Sequence, residues 1–427
     1  MSLLDFINFI KTSELKKRII NTILYLALFR LGSYVVLPGI DVTMITRHSE
    51  GLLGLLDMFV GGAFKQRSIF ALGIMPYISA SIVVHIMTLL FPTFQKIQQD
   101  GQSGRMKLHQ ITKFMTLALA IFQNFAFLSS AIYDSELLIS RRAFLILSSI
   151  ILTAGSMACV WIGERITDYG IGQGVSVLIL VGIISSLPGA IYEEYNLKAG
   201  SEMVLFLEAG VLFLISMFVV ALSLAVREIK LLYIKENMTY EDLQARRQYL
   251  PIKIICAGVM PIIFGNVVLL FVAFIFNLFS EKNETAMKLY NILIDNTTWG
   301  YNIFFAIFII IFTYLYTAIN INPHRIASDL KRNECFMPGV RPGTCTAEYI
   351  DKILNMVLFP GALCLALVAL LPAVAYQCEV GRNISRFFGG TSLLIAIPVA
   401  IEVWHQMKSY WILYKFTTID STASLSK

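Results

Sequence analysis

Few side chains in this sequence are placed to do chemistry. Cys335 and Cys345 share one loop, but two thiols with no nearby His make a poor metal site. The six Cys are scattered, with Cys159, Cys256 and Cys364 in apolar runs. No paired framework or zinc spacing appears, so they read as reduced thiols. His85 and His405 are the histidines within apolar runs. A lone His near a helix end is usually structural. Arg30 and Glu402 are charges in apolar runs, and such charges mark function by default. Both are read here as lying near cytoplasmic helix ends, where long side chains snorkel. No HExxH, no GxSxG, no Walker A loop and no two aspartates placed to meet are found. No catalytic residue, metal or cofactor is expected, and any ATP is used by a partner.

What remains is apolar and branched. Ile74 and Ile78 fall at i, i+4 beside Pro76, and Ile179, Ile263 and Ile395 lie part-way along other apolar runs. A ring of such side chains gates a pore by dewetting. Spacing alone does not assemble the ring, and each isoleucine reads equally as core or lipid-facing. One basic residue stands out. Arg341 lies between Pro338-Gly339 and Pro342-Gly343, in a stiff loop between two long apolar runs.

The elements that must position these residues are membrane helices. Of 427 residues, 57% are hydrophobic and 15% charged, against about 25% charged in a soluble domain. Mean hydropathy is +0.71. About ten runs are long enough to cross a roughly 30 Å hydrocarbon core: 18–37, 68–91, 111–133, 144–163, 174–192, 204–226, 253–279, 301–321, 352–375 and 388–412. An even number puts both termini on one side. Lys and Arg concentrate in the loops on that side, so the positive-inside rule places the termini, and loops 92–110, 227–252 and 322–351, in the cytoplasm. The net charge of +6 then reflects basic loops beside anionic lipid, with no call for DNA. Residues 1–17 read as a cytoplasmic amphipathic segment without a cleavage site, and 415–427 as a cytoplasmic tail.

Several runs carry proline. Pro76 is expected to break the second, Pro261 the seventh and Pro372 to end the ninth, while Pro398 lies in the tenth. The segment 51–66, GLLGLLDMFVGGAFKQ, is apolar but too short to span. It reads as a re-entrant piece buried in protein, or as an interfacial helix lying flat.

Seven motifs then accumulate in order: RLGSYVVLPGID (30–41), GGAFKQRSIFALGIMPYISASIV (61–83), WIGERITDYGIGQGVSVLI (161–179), YLPIKIICAGVMPIIF (249–264), YLYTAININP (314–323), FMPGVRPGTCTAEYIDKIL (336–354) and FFGGTSLLIAIPV (387–399). Together they resemble the SecY family, the channel subunit of the bacterial protein translocase, from about residue 14 to 414. The wording most resembles SecY of the Bacteroidota. The resemblance implies an all-α integral membrane protein of two inverted five-helix halves, 18–198 and 199–414, closing as a clamshell in the bacterial inner membrane. It implies a pore ring of Ile74, Ile78, Ile179, Ile263 and Ile395. It implies a plug over about 52–66, with Leu55, Leu56, Met58, Phe59, Gly61 and Gly62. A lateral gate follows between the second and third spans and the seventh and eighth, lined by Ser79 and Gln123. At Ile255 the family commonly has Asn, so a polar contact of the shut gate is weaker here.

Loops 227–252 and 322–351 are implied to dock the SecA motor or the ribosome. Arg341 matches the family's loop arginine, and Arg246 and Arg247 are looser basic contacts. SecE and SecG subunits, signal sequences, nascent polypeptides and membrane lipid complete the implied partners. Two other readings stay open on residues alone: a secondary transporter, which predicts a mid-membrane polar site, and an intramembrane enzyme, which needs a catalytic set.

Overall fold

A computed structural model of the chain describes residues 13–40, 61–63, 66–131, 138–197, 202–233, 248–255, 258, 260–280, 284–294, 298–377 and 391–425. A helix overlaps each of the ten expected spans: α1 (Ser13–Tyr34), α2 (Met75–Leu90), α4 (Gly101–Ala131), α5 (Arg141–Tyr169), α6 (Gly174–Leu197), α7 (Glu202–Leu224), α8 (Met260–Ser280), α10 (Trp299–Asn320), α12 (Thr344–Gln377) and α13 (Thr391–Leu425). Short helices α3 (Pro92–Gln99), α9 (Glu284–Ile294) and α11 (Pro323–Arg332) lie between them. Among the described residues, three runs are long and apolar enough to cross a membrane by length and composition alone: Arg141–Tyr169, Trp299–Arg332 and Thr344–Leu371. The bent pair formed by α2 and α3 makes a fourth if it counts as one.

Three prolines act differently from expectation. Pro76 and Pro261 stand in the first turns of α2 and α8 and start those helices. Proline's missing N–H costs nothing there, because the first turn has no intrahelical acceptor for it. Pro372 does not end the ninth span, since α12 runs on to Gln377. Pro398 lies inside α13, as expected. Pro92 opens α3 after extended Phe91, and the axis turns by 105° between α2 and α3. A residue before proline is pushed out of the helical region, which makes Phe91 the corner.

The chain packs as two compact units, residues 1–193 with 398–427, and residues 194–397. In the first, α4 packs on α2 and α5, and α1 packs on α5. The strand-like return after α1 is zipped to residues 67–69: Leu37 N donates to Arg67 O at 3.0 Å and Ile69 N to Val35 O at 2.9 Å. Leu37, Ile40, Leu72, Leu128, Phe144 and Leu152 make the core beneath it.

The turn between α5 and α6 is fastened from two sides. Arg18 and Asn21 of α1 donate to the carbonyls of Gly170 and Tyr169, and the Thr22 hydroxyl accepts from Ile171 N at 3.0 Å. From α13, Gln406 Oε1 accepts from Gly172 N. Gly172 needs its glycine: φ is +86°, and a Cβ would press on Val177 and Val403.

The second unit holds α7 to α12, with α8 against α9 and α10, and α10 against α12. Beside these helices it carries one small sheet. Strands β1 (Val226–Tyr233), β2 (Gln248–Lys253) and β3 (Cys335–Phe336) form an antiparallel sheet in the order β2-β1-β3. The cause is visible in VREIKLLY, where Ile229 and Leu231 turn inward while Glu228 and Lys230 face out. Ile229 pairs with Leu250 and Arg227 with Ile252. Pro251 is tolerated because β2 is an edge strand. Ile229, Leu231, Ile252, Met337, Ile350 and Leu354 close a small core between the sheet and the start of α12. Each such buried side chain contributes about 1.5–3 kcal/mol before entropy. The two loops expected to dock partners are therefore one packed module.

Candidate pore, gate and docking surface

The isoleucines are placed by four helix starts. Ile74 caps α2, and its carbonyl accepts from Ile78 N at 3.1 Å, so the two side chains lie one turn apart. Both are buried, as is Ile179 in the second turn of α6. In the second unit Ile263 lies in the first turn of α8 and Ile395 in the first turns of α13, three residues before Pro398. Both are buried too. None of the five has a polar side chain to offer.

Ser79 and Gln123 are brought together. Gln123 Nε2 donates to Ser79 Oγ at 3.2 Å, and Ser79 Oγ donates back along α2 to Met75 O at 3.1 Å. The same turn of α2 thus carries Ile78 and, about 100° round the helix, a polar tie to α4. Ile255 is not on the seventh helix, where the span 253–279 put it. It lies in a bend before α8, and its carbonyl accepts from Gly258 N at 3.3 Å.

Plug positions Leu55, Leu56, Met58 and Phe59 lie outside the described residues, as do Arg246 and Arg247 of the docking loop. Gly61 and Gly62 are described and form a turn with positive φ at both, +68° and +88°. Gly61 is wedged. Its carbonyl accepts from Arg30 Nη1 at 3.2 Å, and a Cβ on it would collide with Ser185 Oγ and come within 2.9 Å of the Gly182 carbonyl. This corrects the reading of Arg30 as a snorkelling residue at the end where α1 begins. Arg30 lies near the far end of α1, with its guanidinium also over the Tyr34 ring. Sequence gave no sign of the partner, because a carbonyl belongs to every residue. Glu402 is exposed on α13. His85 is used locally, Nδ1 donating to Ser81 O at 2.7 Å one turn back.

Three polar residues inside helices went unnoticed in the sequence. Asn124 is fully buried and donates to Thr153 Oγ1 on α5 at 2.8 Å. Glu208 is a buried carboxylate in α7. Tyr301 of α10 donates to Asn266 Oδ1 of α8 at 3.3 Å. Each sits in an apolar run, and that isolation was the available signal.

Arg341 is exposed at the tip of a turn built for it. Met337 to Val340 form a turn closed by Val340 N to Met337 O at 3.2 Å, with Pro338 second and Gly339 third at φ +81°. That is the Pro-Gly order of a type II turn. Val340 packs on the module core while the Thr346 hydroxyl donates to Arg341 O at 2.8 Å. Backbone on both sides is fixed, and the guanidinium is left toward solvent.

Solved structures share the fold. The one described as "The structure of a protein conducting channel" superposes with a TM-score of 0.63 at 15% identity, covering 96% of this chain and 97% of that one. Sec61 in the canine ribosome-channel complex superposes with a TM-score of 0.59 at 13% identity, over 96% and 97%. The likeness shows a shared fold. A sequence model of the SecY family matches residues 68–404. Protein translocase subunit SecY of Vibrio cholerae serotype O1 is 34% identical over 97% of this chain and 95% of its own length. Its counterpart in Staphylococcus carnosus is 35% identical over 95% and 96%. The chain belongs to the SecY family.

Proposed function

We propose that this chain is the protein-conducting channel of a bacterial inner membrane, passing unfolded secretory polypeptides across and releasing apolar segments sideways into lipid. One observation carries the geometry: a single turn of α2 holds both the buried Ile78 and the Ser79 tied to Gln123. A barrier and a gate tie on one turn let the gate helix move the barrier with it.

The five isoleucines, Ile74, Ile78, Ile179, Ile263 and Ile395, act as one apolar waist. Such a waist yields to any threaded chain because it binds no particular side chain, and it dewets when empty. Residues 52–66 seal it as a plug, with Gly61 held by Arg30. Lateral exit is a partition. A segment of about 20 residues gains about 0.3–0.6 kcal/mol for each Leu, Ile, Phe or Val in lipid, and one charge costs about 2.5–3.5 kcal/mol. The same channel therefore secretes polar chains and inserts apolar ones.

The channel itself performs no reaction. Ten spans in halves 18–198 and 199–414 place both termini in the cytoplasm. The sheet module then faces the cytosol, presenting Arg341 to a SecA-type motor or a ribosome, which drives transport. SecE and SecG complete the membrane complex. The test is reconstitution of the purified complex in vesicles with the motor, ATP and a radiolabelled precursor. Protease-protected precursor supports the reading; a complex that binds motor and precursor but protects none overturns it.

A further inference from the structure

A carboxylate that none of the pore, plug, gate or docking roles uses sits between a histidine and a lysine. Glu164, near the end of α5, receives His109 Nε2 at 2.9 Å on Oε1. Lys113 Nζ approaches the same carboxylate at 2.7 Å from Oε1 and 2.9 Å from Oε2. His109 and Lys113 are four residues apart on α4 and so share one face of it. The acceptor is a carboxylate, which places the ring hydrogen on Nε2 of His109. The His109 ring also meets the Tyr77 ring of α2 edge-on, centroids 6.5 Å apart. One carboxylate of α5 thereby holds two side chains of α4 and, through the imidazole, touches α2.

A further tie between α4 and α5, among the described residues, is made by buried Asn124, which donates to Thr153 Oγ1 at 2.8 Å and to Ser149 O at 3.4 Å. Eleven residues separate Lys113 from Asn124 on α4, and eleven separate Thr153 from Glu164 on α5. The ties are therefore about 16 Å apart along antiparallel helices. Two separated fastenings stop α4 from tilting on α5, where one alone leaves a pivot. Between them on α4, and on α2 beside it, the side chains are mostly apolar, so packing there resists sliding weakly and the polar ties set the register.

We propose that Glu164 is a positioning residue that holds the α2–α4 side of the gate against α5, and so sets how strong a signal sequence must be to open the channel. This rests on the reading of α2 and α4 as one side of the gate. The groups around Glu164 are partly exposed, with side chains at 43% for His109, 37% for Lys113 and 27% for Glu164. Such pairs add little to global stability, so their effect appears in the equilibrium between shut and open.

The test is transport of two precursors, one with an intact signal and one with a polar residue in its signal core, into vesicles carrying wild type, Glu164→Gln, Lys113→Gln, or the charge swap Glu164→Lys with Lys113→Glu. Glu164→Gln and Lys113→Gln are expected to raise transport of the defective precursor about two- to fivefold, with intact-signal transport unchanged. The swap is expected to return stringency part-way to wild type, which a general packing role would not do. Unchanged discrimination in folded Glu164→Gln or Lys113→Gln, or a swap no stricter than Glu164→Gln, overturns the assignment. Wild-type transport of the intact precursor is the separate control, because its failure strikes the channel reading and leaves the brace unaddressed only in that arm; crosslinking of Cys pairs between α4 and α5, faster in Glu164→Gln than in wild type, reads the loosened register without transport. Equal crosslinking rates also overturn it.

Discussion

The guanidinium of Arg30 and the carbonyl of Gly61 are joined at 3.2 Å, thirty-one residues apart in the chain. The contact fixes the described end of the segment proposed as the plug to the first helix. Gly61 has no room for a side chain on its other side, where Gly182 and Ser185 of α6 close in. Replacing Arg30 by Leu removes the donor and keeps the apolar bulk. The variant is expected to assemble normally and to leak ions, measured as conductance of reconstituted vesicles without precursor. Gly61→Ala adds strain at φ +68° as well, costing about 1 kcal/mol or more, and is expected to leak more. Tight vesicles with either variant would show that the contact does not hold the seal.

The Gln123–Ser79 bond carries a second expectation. A net side-chain hydrogen bond is worth about 0.5–1.5 kcal/mol, so Ser79→Ala shifts the shut-to-open equilibrium by about two- to tenfold. Membrane segments near the insertion threshold are expected to insert more readily in Ser79→Ala. The readout is glycosylation-independent: carbonate-resistant fraction of a model segment with one, two or three leucines replaced. An unmoved threshold would separate this pair from the gate.

Arg341 is expected to matter for transport and not for folding. Its side chain is exposed and its turn is fixed by Pro338, Gly339 and the Thr346 hydroxyl. Surface substitutions away from special features stay within about 0.5 kcal/mol. Arg341→Glu is expected to keep its melting temperature while motor-driven transport falls about tenfold, because a cation that pairs with an acidic or phosphate-bearing surface becomes a repelling charge. Early melting would make the residue structural, and normal transport would remove it from the docking surface.

The sheet module carries its own expectation. Ile229 and Leu231 alternate inward onto Met337 and Ile350, so Ile229→Ala removes methyl groups from a small core and costs about 2–5 kcal/mol locally. Amide exchange in β1 and β2 is expected to rise while α5 and α12 keep their protection. Uniform exchange would show that the loops do not pack as one body.

Legibility followed the physics of each feature. Helices with long apolar runs could be read because lipid demands them, and each expected span carries one. Ser79 and Gln123 were named from the family resemblance as gate positions, and a hydrogen bond joins the two side chains. The strands were missed because VREIKLLY and QYLPIK are short and lie in charged loops, where period-2 alternation over two or three residues is weak evidence. Pro76 and Pro261 misled because proline both breaks helices and begins them, and only the position of the first turn decides. Ile255 was placed on a helix for the same reason. Arg30 was misplaced along α1, and its backbone partner has no side-chain signature. Glu164 lay inside a recognised motif, GERITDYG, yet its two partners, Lys113 and His109, lie 51 and 55 residues away on another helix.

The central claim is that a polypeptide threads the isoleucine waist. The direct measurement places a photoreactive amino acid at Ile78, Ile179 or Ile395, and at Phe213 on the exposed face of α7 as control, then arrests a precursor halfway by folding its C-terminal domain. Crosslinks from all three isoleucine positions to the arrested chain, with Phe213 reaching only lipid, are what the account requires. Crosslinks at Phe213 that match those at Ile78, or none at the isoleucines while the precursor is verifiably arrested, would contradict it.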